Sequence, residues 1–280
     1  MPVVPPDRLD PVEPPHNIPS EHPAYERAAR EAGVREREVR EDPVRKPGTG
    51  PGPGPGAVAR RPWVVGVSGA SGTPYAASVL RGLLAAGESV DLVVSRASRL
   101  TLLDETGIGF RDAHWREDLR EWLARGADGK PQTFAVTEED LSDVRHWPAG
   151  DLAAGPSSGS YPVKGMLIVP ASTACVAGVA LGLSKDLLQR TASVTLKERR
   201  KLVVAVRETP LNGQTLRHLV TLDEAGAVVL PASPAFYAGA THIQDLVDFV
   251  AGRVLDAAGV PHGLYRRWEG ELGRGPKGEG

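Results

Sequence analysis

The run Trp63-Val64-Val65-Gly66-Val67 passes directly into Ser68-Gly69-Ala70-Ser71-Gly72-Thr73-Pro74. A short apolar run bounded by turn signals reads as a buried strand. The small and hydroxyl residues after it read as a tight turn. From Pro74 to Gly87, apolar residues recur at helical spacing: Tyr75, Val79, Leu83 and Leu84. Working downstream, further strands are expected at Val90–Val94, Met166–Val169, Leu202–Val206 and Ala227–Leu230. Helices are expected at Thr173–Leu181, Lys185–Arg200, Asn212–Ala225 and Ile243–Ala258. Near-continuous apolar strands separated by helices imply a parallel sheet covered on both faces. The fold class is α/β, doubly wound, with a mostly parallel sheet, and ligands in such sheets gather at the C-terminal strand ends. The stretch from Gly107 to Pro162 is less regular. Trp115 to Leu123 reads as helix, Asp151 to Ser160 as a Gly/Ser/Ala/Pro loop, and the whole as an insertion carrying a mobile active-site loop.

Upstream of Arg61 the composition changes: 13 of the 25 prolines lie there, and no Phe or Trp does. Such a segment buries too little apolar surface to offset its ordering entropy. Residues 1–60 are therefore expected to form a disordered Pro/Gly-rich tail, with a transient helix near Ala24–Arg30, and residues 61–280 the α/β domain. A net charge of -2 gives no electrostatic footprint for nucleic acid. No apolar run approaches the roughly 18 residues of a membrane span. Met1–Asp10 has no secretory pattern, and the default compartment is the cytoplasm. A single cysteine, Cys175, excludes a disulfide framework and a multi-cysteine zinc site. The seven histidines show no metal-binding spacing.

Turn residues 68–74 lack the middle glycine of a dinucleotide fingerprint and the Gly-Lys-Ser/Thr of a nucleotide triphosphate loop. The second strand ends in Ser95-Arg96 rather than in an acid that would hold a ribose. A mononucleotide phosphate on free helix N–H groups, with Ser71 and Thr73 adding hydroxyls, is one reading; a mere strand–helix turn is the other. A similar loop, Pro170-Ala171-Ser172-Thr173-Ala174-Cys175, follows the strand at 166–169, where Ser172 reads as N-cap or ligand contact. A third cluster holds Arg190, Lys197-Glu198-Arg199-Arg200 and Arg207-Glu208. Arg199 and Arg200 read as complements to a helix dipole. Arg207 can grip phosphate bidentately, and a partly buried Glu208 can serve as acid or base.

In this order the pieces resemble the UbiX/Pad-type flavin prenyltransferases, from about Trp63 to Trp268. The resemblance rests on SGASG at Ser68–Gly72, LKERR at Leu196–Arg200, RETPL at Arg207–Leu211 and GAVVLPASPAFY at Gly226–Tyr237. DLVDFVAGRVLDAAGV at Asp245–Val260 and Arg267-Trp268 complete it. The resemblance implies a Rossmann-like flavoprotein fold, and a metal-free transfer of dimethylallyl from dimethylallyl phosphate to N5 and C6 of reduced FMN. It also implies a UbiD-type decarboxylase as recipient of the prenylated FMN, and a large homo-oligomer, up to a dodecamer, with subunits sharing each site. Carried over, Gly69, Ala70, Ser71, Ser95, Ser172, Thr173, Ala174, Cys175 and Arg207 hold FMN. Ser158, Arg190, Lys197, Arg207, Tyr237 and Arg253 surround the donor phosphate, and Trp147 and Trp268 wall the prenyl group. Glu208 is the candidate acid/base at C6, while Ser71 and Glu105 manage protons near N5. The chain departs from the family pattern at Ala171, where Cys is frequent, and at Cys175, where Thr is. Two alternatives stand beside this reading. One is a flavin-dependent peptidyl-cysteine or phosphopantothenoylcysteine decarboxylase using His114 or His146; the other is a non-catalytic FMN carrier.

Overall fold

The computed structural model describes residues 61–132, 136–268 and 270, all within the unit Val58–Gly280. The expected tail, residues 1–60, and its transient helix lie outside the described residues. Six parallel strands form one sheet in the order β3-β2-β1-β4-β5-β6. They are β1 (Trp63–Val67), β2 (Val90–Val94), β3 (Val144–His146), β4 (Gly165–Ala171), β5 (Lys201–Val206) and β6 (Val228–Pro231). Among the described residues eight α-helices flank it: α1 (Thr73–Ala85), α2 (Arg96–Thr106), α3 (Trp115–Leu123), α4 (Glu138–Ser142), α5 (Thr173–Ala180), α6 (Leu187–Lys197), α7 (Gly213–Glu224) and α8 (Ile243–Ala258).

The period of two along each strand sends side chains to alternate faces. In β5, Val203 and Ala205 enter one core with Leu80 and Leu83 of α1, Trp122 of α3 and Leu255 of α8. Leu202, Val204 and Val206 enter the other, with Val176 of α5, Leu188 and Ala192 of α6 and Leu222 of α7. Helices α6 and α8 therefore cover opposite faces of the sheet. No helix among the described residues is long and apolar enough to cross a membrane.

The segment 107–162 is not an insertion outside the sheet. It holds β3, which pairs with β2 from Val90↔Val144 to Leu92↔His146 and forms the sheet edge. Residues 155–161 are tethered rather than loose. Arg200 donates from Nη1 to the Tyr161 carbonyl at 2.9 Å and from Nη2 to the Gly159 carbonyl at 2.7 Å. The Tyr161 hydroxyl donates to Asp91 at 2.8 Å. Burial and that bond push the Tyr161 phenol up to about 12. Arg200 thus spends its guanidinium on a distant loop instead of on its own helix's dipole.

Candidate active site

Because every strand is parallel, the loops after β1, β2, β3, β4, β5 and β6 all leave the same edge of the sheet. That edge collects Gly69, Ala70 and Ser71 after β1, Ser95 after β2, Trp147 after β3, Ser172 to Cys175 after β4, Arg207 and Glu208 after β5, and Tyr237 beyond β6. The strand order reverses between β1 and β4, and a crevice opens at such a point. Ser68 joins the two lips: its hydroxyl donates to the Pro170 carbonyl at 2.9 Å and accepts from the Ser172 amide at 2.7 Å.

The turn after β1 is not the free anion site its composition suggests. Gly72 caps α1 from the left-handed region at φ 111°, a conformation that favours glycine. Its amide and that of Thr73 each donate to Glu105 at 2.8 Å, and the Thr73 hydroxyl adds a bond of 2.6 Å. A side chain from the last turn of α2 thus caps α1. Burial works to raise the Glu105 carboxyl, but the hydroxyls of Ser71 and Thr73 and the two amides outweigh it and hold it below 4.5. A phosphate cannot take these amides while the carboxylate does.

The loop after β4 offers the opening instead. Ser172 is the N-cap of α5 and accepts from the Cys175 amide at 3.2 Å. The amides of Thr173 and Ala174 donate to nothing among the described residues, so they remain for an anion. Cys175 is buried, and burial pushes its thiol up to about 12, so it is a neutral packing group. Ser95 is buried as the N-cap of α2, accepting from the Ser98 amide at 3.1 Å. Gly69 packs against Ala97 at the start of α2.

Between the turn after β1, the end of β5 and the start of α8 lies a cleft lined by Ser71, Gly72, Tyr75, Glu105, Arg207, Pro234, Ile243 and Val247. Arg207 crosses its rim and donates from Nε to the Ser71 carbonyl at 3.1 Å. Glu208 is exposed and accepts from the Thr209 amide at 2.9 Å. It does not pair with Arg207 and, in the single chain, is not the partly buried carboxylate expected. Tyr75, which sequence reading places only on a helix face, is a wall of this cleft. Burial chiefly raises its phenol, with Arg207 opposing. The cleft supplies an apolar wall and a rim arginine, and the start of α5, on the same edge of the sheet, supplies two unpaired amides; together these groups fit a flavin mononucleotide.

The remaining candidates form two separate groups. Arg190 and Lys197 lie on α6, where Arg190 Nε donates to the Ser157 carbonyl at 3.1 Å beside Ser158, and Lys197 pairs with Glu198. Trp147 joins this group through an edge contact with Tyr161, ring centroids 6.4 Å apart. Lys197 ends its helix just before β5 begins, at the strand-start edge of the sheet. On the opposite face, Arg253 of α8 contacts Asp256 and Tyr265, and the rings of Tyr237 and Trp268 meet edge-on at 5.4 Å. No hydrogen bond, ion pair or ring contact among the described residues joins the two groups.

The Flavoprotein family model matches residues 55–255. The flavin prenyltransferase UbiX of Streptomyces coelicolor is 88% identical over 212 residues, which is 76% of this chain and 97% of that protein. The chain belongs to the flavin prenyltransferase family. The UbiX flavin prenyltransferase of Synechocystis is 40% identical over 213 residues, 76% of this chain and 98% of that protein. Among solved structures, AnUbiX (PadA1) in complex with FMN and dimethylallyl pyrophosphate has a TM-score of 0.63 and 34% identity, covering 76% of this chain and 99% of that one. A dodecameric FMN-dependent UbiX-like decarboxylase from Escherichia coli O157:H7 has a TM-score of 0.60 and 30% identity, covering 75% and 99%.

The two histidines of the cysteine-decarboxylase alternative lie away from the cleft. His146 is buried, with Nε2 2.7 Å from Asp112 Oδ1 and its ring 5.3 Å from that of Phe110. His114 is exposed beside Glu117. Neither lines the cleft.

Proposed function

We propose that this flavin prenyltransferase joins the dimethylallyl group of dimethylallyl phosphate to N5 and C6 of reduced FMN, and that a UbiD-type decarboxylase takes up the product. The observation that carries the reading is the pair of cationic sets beyond the flavin cleft: Arg190 with Lys197, and Arg253. A flavin carrier needs Arg207 and the 172–175 loop; it has no use for a second phosphate pocket.

When bound, reduced FMN supplies the two nucleophilic atoms. Thr173, Ala174 and Arg207 receive its phosphate, and Gly69, Ala70, Ser71, Ser95, Ser172 and Cys175 shape the loops around it. Arg190, Lys197, Tyr237, Arg253 and Ser158 hold the donor phosphate and take up the charge that develops as the allylic bond breaks, the type of stabilisation that is usually the largest catalytic term. Trp147 and Trp268 exclude water from the cationic prenyl fragment and present π faces to it. Glu208 accepts the C6 proton. Ser71, whose hydroxyl, like that of Thr73, donates to Glu105, sets the proton environment near N5.

In one chain the two donor-binding sets lie on opposite faces of the sheet, so a second copy of the chain completes each site. Phe236, Tyr237, Ile243 and Trp268 are exposed apolar side chains at this edge, 49–78% accessible, which suits burial against such a copy. The test of the product is functional. Flavin extracted from an anaerobic reaction should activate a UbiD-type apo-decarboxylase, and FMN carried through without donor should not. The monophosphate should give the higher kcat/KM of the two phosphorylated donors. Activation by unmodified FMN, or none by the product, would contradict the reading.

A further inference from the structure

Asp256, on the last turn of α8, has no assigned part in the chemistry, yet it accepts four hydrogen bonds. Its Oδ2 takes Arg253 Nη1 at 2.9 Å and the Tyr265 hydroxyl at 2.5 Å. Its Oδ1 takes Arg267 Nη2 at 2.8 Å and His262 Nε2 at 3.1 Å. The Leu264 amide donates to His262 Nδ1 at 3.2 Å, so Nε2 is the protonated nitrogen and donates to the carboxylate. Burial works to raise the Asp256 carboxyl, while Tyr265, Arg267 and His262 outweigh it and hold it at about 2. It is an anion at every working pH.

The bonds fold the chain after α8 back across the helix. The crossing is at Gly252, where a Cβ would stand 2.5 Å from the Tyr265 ring and 2.7 Å from that of His262. From there a line of rings leads to the sheet edge: Tyr265 to Phe249 at 4.8 Å, Phe249 to Tyr237 at 5.8 Å, and Tyr237 to Trp268 at 5.4 Å. Arg253 is held by Nη1 alone: that nitrogen donates to Asp256 and lies 3.4 Å from the Tyr265 hydroxyl. Its Nε and Nη2 donate to nothing among the described residues. They form the fork that matches two phosphate oxygens.

We infer that Asp256 is a positioning residue for the prenyl donor: it turns the free fork of Arg253 toward the phosphate and pins the returning segment that carries Trp268 against Tyr237. The inference rests on the assignment of Arg253, Tyr237 and Trp268 to the donor.

The test uses the full-length enzyme and steady-state kinetics with dimethylallyl phosphate. Asp256→Asn should raise the donor KM about tenfold, the order expected when a group orienting a ligand contact is lost, with kcat and FMN affinity within about threefold. Arg253→Gln should raise the same KM at least as much. Because the two residues act through one contact, the double variant should fall well short of the product of the single effects. A raised KM in Arg253→Gln with an unchanged KM in Asp256→Asn, or effects that multiply fully, would overturn the positioning role alone. An unchanged KM in Arg253→Gln would overturn the donor assignment of Arg253 and this inference with it. Should Asp256→Asn not fold, Tyr265→Phe carries the test. It removes only the hydroxyl shared by Asp256 and Arg253, and the donor KM should rise about threefold, the scale of one modest hydrogen bond; an unchanged KM would overturn the inference.

Discussion

Arg190→Ala and Arg253→Ala chains, each expected to be severely impaired at low donor concentration as a uniform preparation, should regain activity when they are co-expressed or reassembled together. The expectation follows from topology. Arg190 sits on α6 against the core that contains Leu188 and Ala192, and Arg253 sits on α8 against the core that contains Val254 and Leu255. The six-stranded sheet lies between them. A donor phosphate held by both arginines therefore takes them from different copies. In a randomly mixed oligomer, roughly a quarter of such shared sites receive both wild-type arginines. Activity of that order is the expected result, and each uniform variant should still bind FMN, since neither residue lines the flavin cleft. If both arginines served one site within one chain, mixing would restore nothing.

Replacing Glu208 by Gln should lower kcat by at least about a hundredfold, within the range for loss of a general acid or base. Gln keeps an oxygen for the Thr209 amide, the one hydrogen bond Glu208 makes among the described residues. The loop geometry should survive, and FMN affinity should stay within about threefold by the same isosteric argument. The contrast is Arg207→Ala, one position earlier on the cleft rim, which should weaken FMN binding. Rapid-quench measurement of flavin consumption separates the two effects. Unchanged turnover in Glu208→Gln would remove Glu208 from the proton transfer.

The parallel sheet is legible in the sequence because β1, β4 and β5 are near-continuous apolar runs and β2 is broken only by Asp91, and such a run survives any reading frame of the pleat. β3 is not, because it is three residues long with the exposed Arg145 between Val144 and His146. α2 is hard to see for a related reason. Only Ser98 and Leu102 are buried, while Leu100 and Leu103 face outward, so it shows no apolar stripe. Local capping is readable: Ser172 and Ser95 are N-caps, as their residue types favour. Capping across the chain is not. The Glu105 bonds to Gly72 and Thr73 span 33 and 32 residues, and no spacing rule anticipates them. The Asp256 cluster is hidden in the same way, since it exists only once the chain reverses after α8 and crosses Gly252.

Transfer of a prenyl group to the flavin itself is tested most directly by the mass of the flavin. Full-length protein is incubated anaerobically with FMN, a reductant and dimethylallyl phosphate, and the extracted flavin is weighed by mass spectrometry. The expected product is a flavin heavier than FMN by one five-carbon prenyl unit, formed only when donor is present. Unmodified FMN, recovered from protein that had bound it and been given donor, would contradict it.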